Sequence, residues 1–194
     1  MSKRKENNVA DLRFELEEEA TRKRIFATLI SSLPNDIERA KVGVVVVDNS
    51  IRTEQQLSNV AEIEAALGLT VAGDYAKEHT LAIYRILAEA EAKAHGCPLE
   101  EAHFHEVGKG MTVREILGIC TAFELLAPEH VSCSPVQVGS GTVECSHGTL
   151  SIPAPATAAI IEAYGIPVAA TRLEGELCTP TSAAILAHFV DSFS

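Results

Sequence analysis

The stretch Val42-Gly43-Val44-Val45-Val46-Val47 is an almost unbroken β-branched run. Side chains branched at Cβ are stiff at χ1 and pack well on a pleated surface. The run is apolar throughout instead of alternating. It therefore predicts a strand buried on both faces, of the kind found in the centre of a sheet covered by helices. A chain of 194 residues, 46% of them hydrophobic, has enough apolar material to bury such a strand. The apolar content leans on Ala, Val, Ile and Leu, with no Trp. Small aliphatic side chains suit close helix-on-sheet packing.

The flanking segments read mostly as helices. Leu12, Leu16 and Ala20 recur every four residues, which predicts a helix from Val9 to about Leu33. The charges of Glu15 to Glu19 and Arg22 to Arg24 would form its solvated face. Ser32 to Asp36 ends it, so residues 1–40 read as an N-terminal helical arm on an α/β domain of residues 41–194. Leu57, Val60, Glu64 and Leu67 suggest a helix closed by Gly68. His79 to His95 is the clearest helix, with Gly96 as a left-handed stop. Thr112 to Ala127 is another, opened by the capping-box pattern Thr112-Val-Arg-Glu115 and followed by Pro128. Short β-like pieces follow over Val131–Val138, Thr142–Cys145 and Leu150–Ile152. Helices then cover Ala156–Tyr164 and Pro180–Val190, the second with Thr179 at its N-cap. Strands interleaved with helices predict an α/β fold: a mixed sheet covered by helices, in a single domain with the N-terminal arm.

A formal net charge of −11 argues against nonspecific nucleic-acid binding, which needs Lys and Arg to displace counterions. A single phosphate or nucleotide could still be held by backbone amides. No apolar run approaches the roughly 20 residues of a membrane helix. The five cysteines are widely spaced and no signal peptide is evident, so reduced, mostly buried thiols in a cytoplasmic protein are expected. Cys133 and Cys145 bracket a glycine-rich stretch and are the two thiols worth watching as ligands.

The chemistry concentrates around His103-Phe104-His105-Glu106-Val107-Gly108. On a strand, His103 and His105 would share a face and address one metal ion or phosphate, while Phe104 packs the other way. Imidazole suits nickel, zinc, copper or iron, and Glu106 broadens the set. The alternative is one core histidine and one solvent-facing histidine. His95 lies at a helix end, where the dipole alone would stabilise it; Glu91 is its neighbour one turn earlier. Gly139-Ser140-Gly141-Thr142 can cradle an anion with backbone N–H groups, or simply turn a hairpin. Ser146-His147-Gly148, the Pro153 to Thr157 stretch and Thr179-Pro180-Thr181 lead into helix N-termini and could hold an anion or merely cap.

Taken in order, Ala88-Glu-Ala-Glu-Ala-Lys-Ala-His95-Gly96, His103 to Gly108, Cys133 to Thr142, His147-Gly148, Pro153 to Thr157 and Gly175 to Thr181 resemble the LarC family of nickel-pincer cofactor biosynthesis proteins. The resemblance spans roughly residues 76–190. It implies nickel insertion into pyridinium-3,5-bisthiocarboxylic acid mononucleotide, a nickel chelatase activity that uses CTP with manganese or magnesium. On this resemblance His103, His105 and Glu106 would carry the chemistry. His95 would join them as metal ligands. Gly139, Ser140, Gly141, Thr142, His147, Thr179 and Thr181 would line the nucleotide pocket. The two aspartates that usually follow the HFHEVG motif in that family stand here as Met111 and Glu115, so only the first acid is lost. The CTP-binding domain would lie on a separate partner chain. A non-catalytic relative that binds a phosphorylated small molecule, a metal or a partner protein is the other reading. No nucleic-acid or membrane partner is expected, and a homo-oligomer is compatible with the sequence.

Overall fold

The protein is described here by a computed structural model covering residues 9–145 and 148–194. In chain order, β1 (Asp11–Phe14) leads to α1 (Arg22–Ser32), α2 (Asp36–Val47), α3 (Val60–Gly68), α4 (Asp74–His95) and α5 (Gly110–Leu126). Then come β2 (His130–Cys133), β3 (Gly139–Ser140), β4 (Thr142–Cys145), β5 (Gly148–Ser151) and α6 (Pro155–Tyr164). β6 (Gly175–Glu176), α7 (Pro180–Phe189) and β7 (Ser192–Phe193) complete the chain. The α/β class is as expected. Strands β1, β2 and β7 form a parallel sheet in the order β1-β2-β7, while β3 pairs with β6 and β4 with β5, both antiparallel.

In β1, Leu12 and Phe14 point into the core and Asp11 and Arg13 point to solvent. Their partners in register, Val131 and Cys133, are buried beside them. Helix α5 lies in the middle of the molecule, packed on α1, α2 and α4, and α4 also meets α3, α6 and α7. One apolar cluster runs from Leu12 to Leu186 through all these elements.

The valine run is not a strand. It is the second half of α2, with Val42 and Val45 buried and Val44 and Val47 more than half exposed. Burial every three to four residues is helical periodicity. Three features outweigh the β preference. Asn35 caps the helix by accepting from the Glu38 N–H at 3.0 Å, and Asp36 and Glu38 complement the dipole in the first turn. At the other end Arg114 of α5 donates from Nε to the Val46 carbonyl at 2.7 Å. A Cβ at Gly118 of α5 would collide with Val46, so the two helices meet across a glycine.

The helix expected from Val9 to Leu33 is instead a strand, a loop and a shorter helix. Leu12, Phe14 and Leu16 are all buried, so the true period is two, and the four-residue spacing of Leu12 and Leu16 is simply twice that. The capping box at Thr112 also fails. Helix α5 begins two residues earlier, with Lys109 at its N-cap and no side-chain cap, and Glu115 is engaged elsewhere. The helices at His95 and Pro180 end and begin as expected: Gly96 is left-handed, with φ 65°, and the Thr179 side chain accepts from the Ser182 N–H.

Candidate functional site

The segment His103–Gly108 is not a strand. Residues 103–105 are irregular and Glu106–Gly108 form one 3-10 turn. The expected alternation nevertheless survives: Phe104 is buried, while His103 and His105 are exposed. Phe104 packs against the Tyr84 ring at 5.4 Å. The segment is fastened by main-chain bonds to the loop before α3. The Phe104 N–H donates to Ser58 O at 2.8 Å and the Leu57 N–H to Gly108 O at 2.9 Å. The Gln56 amide donates to the carbonyls of Phe104 and His105. The Tyr84 hydroxyl of α4 donates to Val107 O at 2.7 Å. Loop 55–58 and α4 together thus present both imidazoles outward.

Two cavities meet at Glu106 and Lys109, which line both. The larger, about 570 Å³, is bordered by the last turns of α4 through Glu91 and His95. It is also bordered by the first turns of α1 (Arg22), α5 (Thr112), α6 (Pro155, Ala156) and α7 (Pro180, Thr181), and by the β4–β5 hairpin through Val143 and Leu150. The smaller, about 550 Å³, carries His103 and His105 with Gln56 and Ser58. The His95 and His105 rings are 6.4 Å apart, and His95 Nε2 is 3.6 Å from Glu91 Oε2.

Of the residues singled out from sequence, His95, Glu106, Thr179 and Thr181 share the larger cavity, and His103, His105 and Glu106 share the smaller one. Gly139, Ser140, Gly141 and Thr142 line neither. Gly139 and Ser140 pair with Glu176 and Gly175, and a Cβ at Gly139 would collide with Gly175 O. The glycine serves this close strand contact, and the segment holds up the hairpin that does reach the cavity. His147 lies outside the described residues.

Arg22 and Lys109 were not singled out. In sequence Arg22 belongs to the charge run that predicts a solvated helix face. It is instead partly buried, donating from Nε to Glu115 Oε2 at 2.6 Å and from Nη1 to Thr181 Oγ1 at 3.0 Å. Lys109 follows the histidine motif directly, and that adjacency was the available signal.

The cavity has four helix N-termini on its border, with the partial positive charge of their unpaired N–H groups. Helix α6 has Ala154 at its N-cap and no side-chain cap, while Thr179 caps α7. Arg22 and Lys109 add positive charge, and Glu91, Glu106 and Glu176 oppose it. Burial pushes the Glu176 carboxyl above its ordinary range. Such a lining can hold a ligand carrying both an anionic group and a cationic or metal-bound one. Among the described residues, no group of three or more His, Cys, Asp or Glu side chains is arranged to hold one metal ion. Cys133, Cys120 and Cys178 are buried thiols pushed up to about 12 by that burial. Cys133 is fully buried in the core and lines neither cavity; the Cys145 side chain is outside the described residues.

No helix among the described residues is long and apolar enough to cross a membrane. No solved structure matches the chain. A pyridinium-3,5-bisthiocarboxylic acid mononucleotide nickel insertion protein of Desulfitobacterium hafniense is 41% identical over 135 residues, 70% of this chain and 33% of the relative. A Thermomicrobium roseum protein provisionally named a nickel insertion protein is 42% identical over 136 residues, 70% of this chain and 34% of the relative. A similarly named Methanosarcina mazei protein is 48% identical over 117 residues, 58% of this chain and 30% of the relative. The chain thus spans about a third of the length of the curated relatives it matches. The model of the nickel insertion protein family matches residues 3–194, well beyond the 76–190 in which the motifs lie, and the chain belongs to that family.

Proposed function

We propose that the chain handles metal and nucleotide in the insertion of nickel into pyridinium-3,5-bisthiocarboxylic acid mononucleotide, a step of nickel-pincer cofactor biosynthesis. One observation carries this reading: His95, Glu91 and Glu106 face the same cavity as the first turns of α6 and α7. Imidazole and carboxylate suit a nickel ion awaiting transfer, and helix N-termini suit a phosphate. The substrate's two thiocarboxylate groups are softer donors than imidazole, so a loosely held nickel ion would pass to them. His103 and His105 form the outer nickel-collecting pair. Glu106 borders both cavities and is the group across which the ion would move. The matched segment is about a third of each relative, and the CTP-dependent step, with manganese or magnesium, is assigned to a separate domain or partner chain.

The test is nickel titration by calorimetry. The wild-type chain should bind nickel, and the double variant His103→Ala/His105→Ala should bind it at least about tenfold more weakly, as expected when coordinating imidazoles are removed. Equal retention of nickel by both proteins would count against the reading.

A second reading is a binding module without turnover, motivated by Met111 at a position where the family resemblance expects an acid. Met111 is 50% exposed and lines neither cavity, so an acid there would not have been a cavity ligand. A chain that binds nickel and mononucleotide but leaves them unjoined, even with CTP, magnesium and the CTP-binding domain present, would favour this second reading.

A further inference from the structure

We propose that Arg22 recognises the phosphate of the mononucleotide in the larger cavity and that Glu115 positions it; the inference rests on the nucleotide-handling reading above. Arg22 is the first residue of α1 and its side chain is 24% exposed, facing the cavity. A guanidinium has five N–H donors. One, on Nε, goes to Glu115, and one, on Nη1, goes to Thr181 Oγ1. The remaining three meet no acceptor among the described residues. Partly desolvated donors without acceptors are costly, and an anion in the cavity would satisfy them.

The charges point the same way. Arg22 sits at the N-terminus of α1, and through Thr181 it touches the N-terminal turn of α7. A cation is disfavoured at a helix N-terminus, and here one is held against two of them. Glu115 offsets one charge but comes from α5 and is not on the cavity border. Lys109 adds a further cation to that border. Glu91, Glu106 and Glu176 also border the cavity, so the positive character belongs to Arg22 and the helix N-termini it touches and not to the lining as a whole. A phosphate, with three acceptor oxygens and up to two negative charges, matches both the geometry and the sign. By fixing Nε, Glu115 aims the outer edge of the fork, which is the edge that binds phosphate bidentately.

The experiment compares two probes by calorimetry on the intact chain. Nicotinate mononucleotide and nicotinate riboside share the pyridinium ring and ribose and differ in the phosphate. Wild-type protein should prefer the mononucleotide by about tenfold to a hundredfold, the worth of charge-assisted hydrogen bonds. Arg22→Gln should bring that ratio close to one while riboside affinity and nickel binding stay at wild-type levels. Arg22→Lys, which keeps the charge without the fork, should give an intermediate ratio and stands in if the Gln variant does not fold. Glu115→Gln should lower the ratio less than Arg22→Gln does. If the Arg22 variants keep the full ratio, or lose both probes in parallel as a structural tether would, the assignment is overturned. Equal binding of the two probes by wild type also defeats the assignment but leaves the cavity a nucleoside site. If wild type binds neither probe, the nucleotide-handling reading falls, and the assignment falls with it.

Discussion

A Cβ at Gly108 would collide with Leu57 O and crowd the Gln56 amide and the Phe104 side chain, and one at Gly110 would collide with Arg52 O. These glycines let the segment after the histidines lie directly on the loop before α3. Tyr84 completes the clamp, since its buried hydroxyl is bonded to Val107 O. Tyr84→Phe would leave that buried carbonyl without its donor and should lower stability by about 1–3 kcal/mol. Urea unfolding would measure it, and an unchanged midpoint would show that the bond carries no weight. His95, Glu106, Thr179 and Thr181 were legible because their neighbours in sequence announce them: a helix stop, a histidine pair and an N-cap. Arg22 was not. Its partners lie 93 and 159 positions away, and nothing local separates it from the charges around it.

At the scale of elements, helices were legible where their ends carry local chemistry. Gly96 closes α4, and Thr179 with Pro180 opens α7. Helix α2 was misread because a valine run favours strand by composition, while its cap at Asn35 and its clamp at Arg114 are decided partly outside the run. The packing of α4 on α7 is settled by a contact that no motif announces. His79 Nδ1 and His188 Nε2 lie 2.7 Å apart, with Tyr75 and Phe189 against the His79 ring. A hydrogen bond at that distance needs one imidazole nitrogen with a free lone pair. Burial, then the neighbouring His79, pushes His188 down to about 4 from an ordinary 6.5, and burial lowers His79 despite the opposing effect of Glu78. Both folded values lie below the unfolded ones, so the unfolded chain takes up protons first as the pH drops. The stabilisation is complete above pH 6.5 and is lost as pH falls from there towards 4. The melting temperature should decline across that window, and His188→Gln should flatten the decline. Parallel curves for the two proteins would remove the pair from the account.

At the scale of the whole molecule, the first and last strands are brought together on β2, with β1 on one side and β7 on the other. Arg13 in β1 donates to Ser194 through both the hydroxyl and the backbone carbonyl, each at 3.0 Å. A sequence window cannot show this, because the pairing of β1 joins positions at opposite ends of a long excursion through five helices. It bears directly on whether residues 41–194 form a domain with residues 1–40 as an arm. Leu12, Phe14, Leu16, Ile25, Leu29 and Leu33 are each 3% exposed or less and belong to the common core. Burying a large apolar side chain contributes about 1.5–3 kcal/mol, so these six contribute on the order of 10 kcal/mol, an upper estimate. That is comparable to the whole stability of an ordinary domain, about 5–15 kcal/mol. A fragment of residues 41–194 would also expose the core side of β2 and the face of α5 that α1 covers. It should therefore show no cooperative thermal transition and little near-ultraviolet circular dichroism, in contrast to the full chain. A fragment that melts cooperatively within a few degrees of the full chain would instead establish the first forty residues as a separable arm.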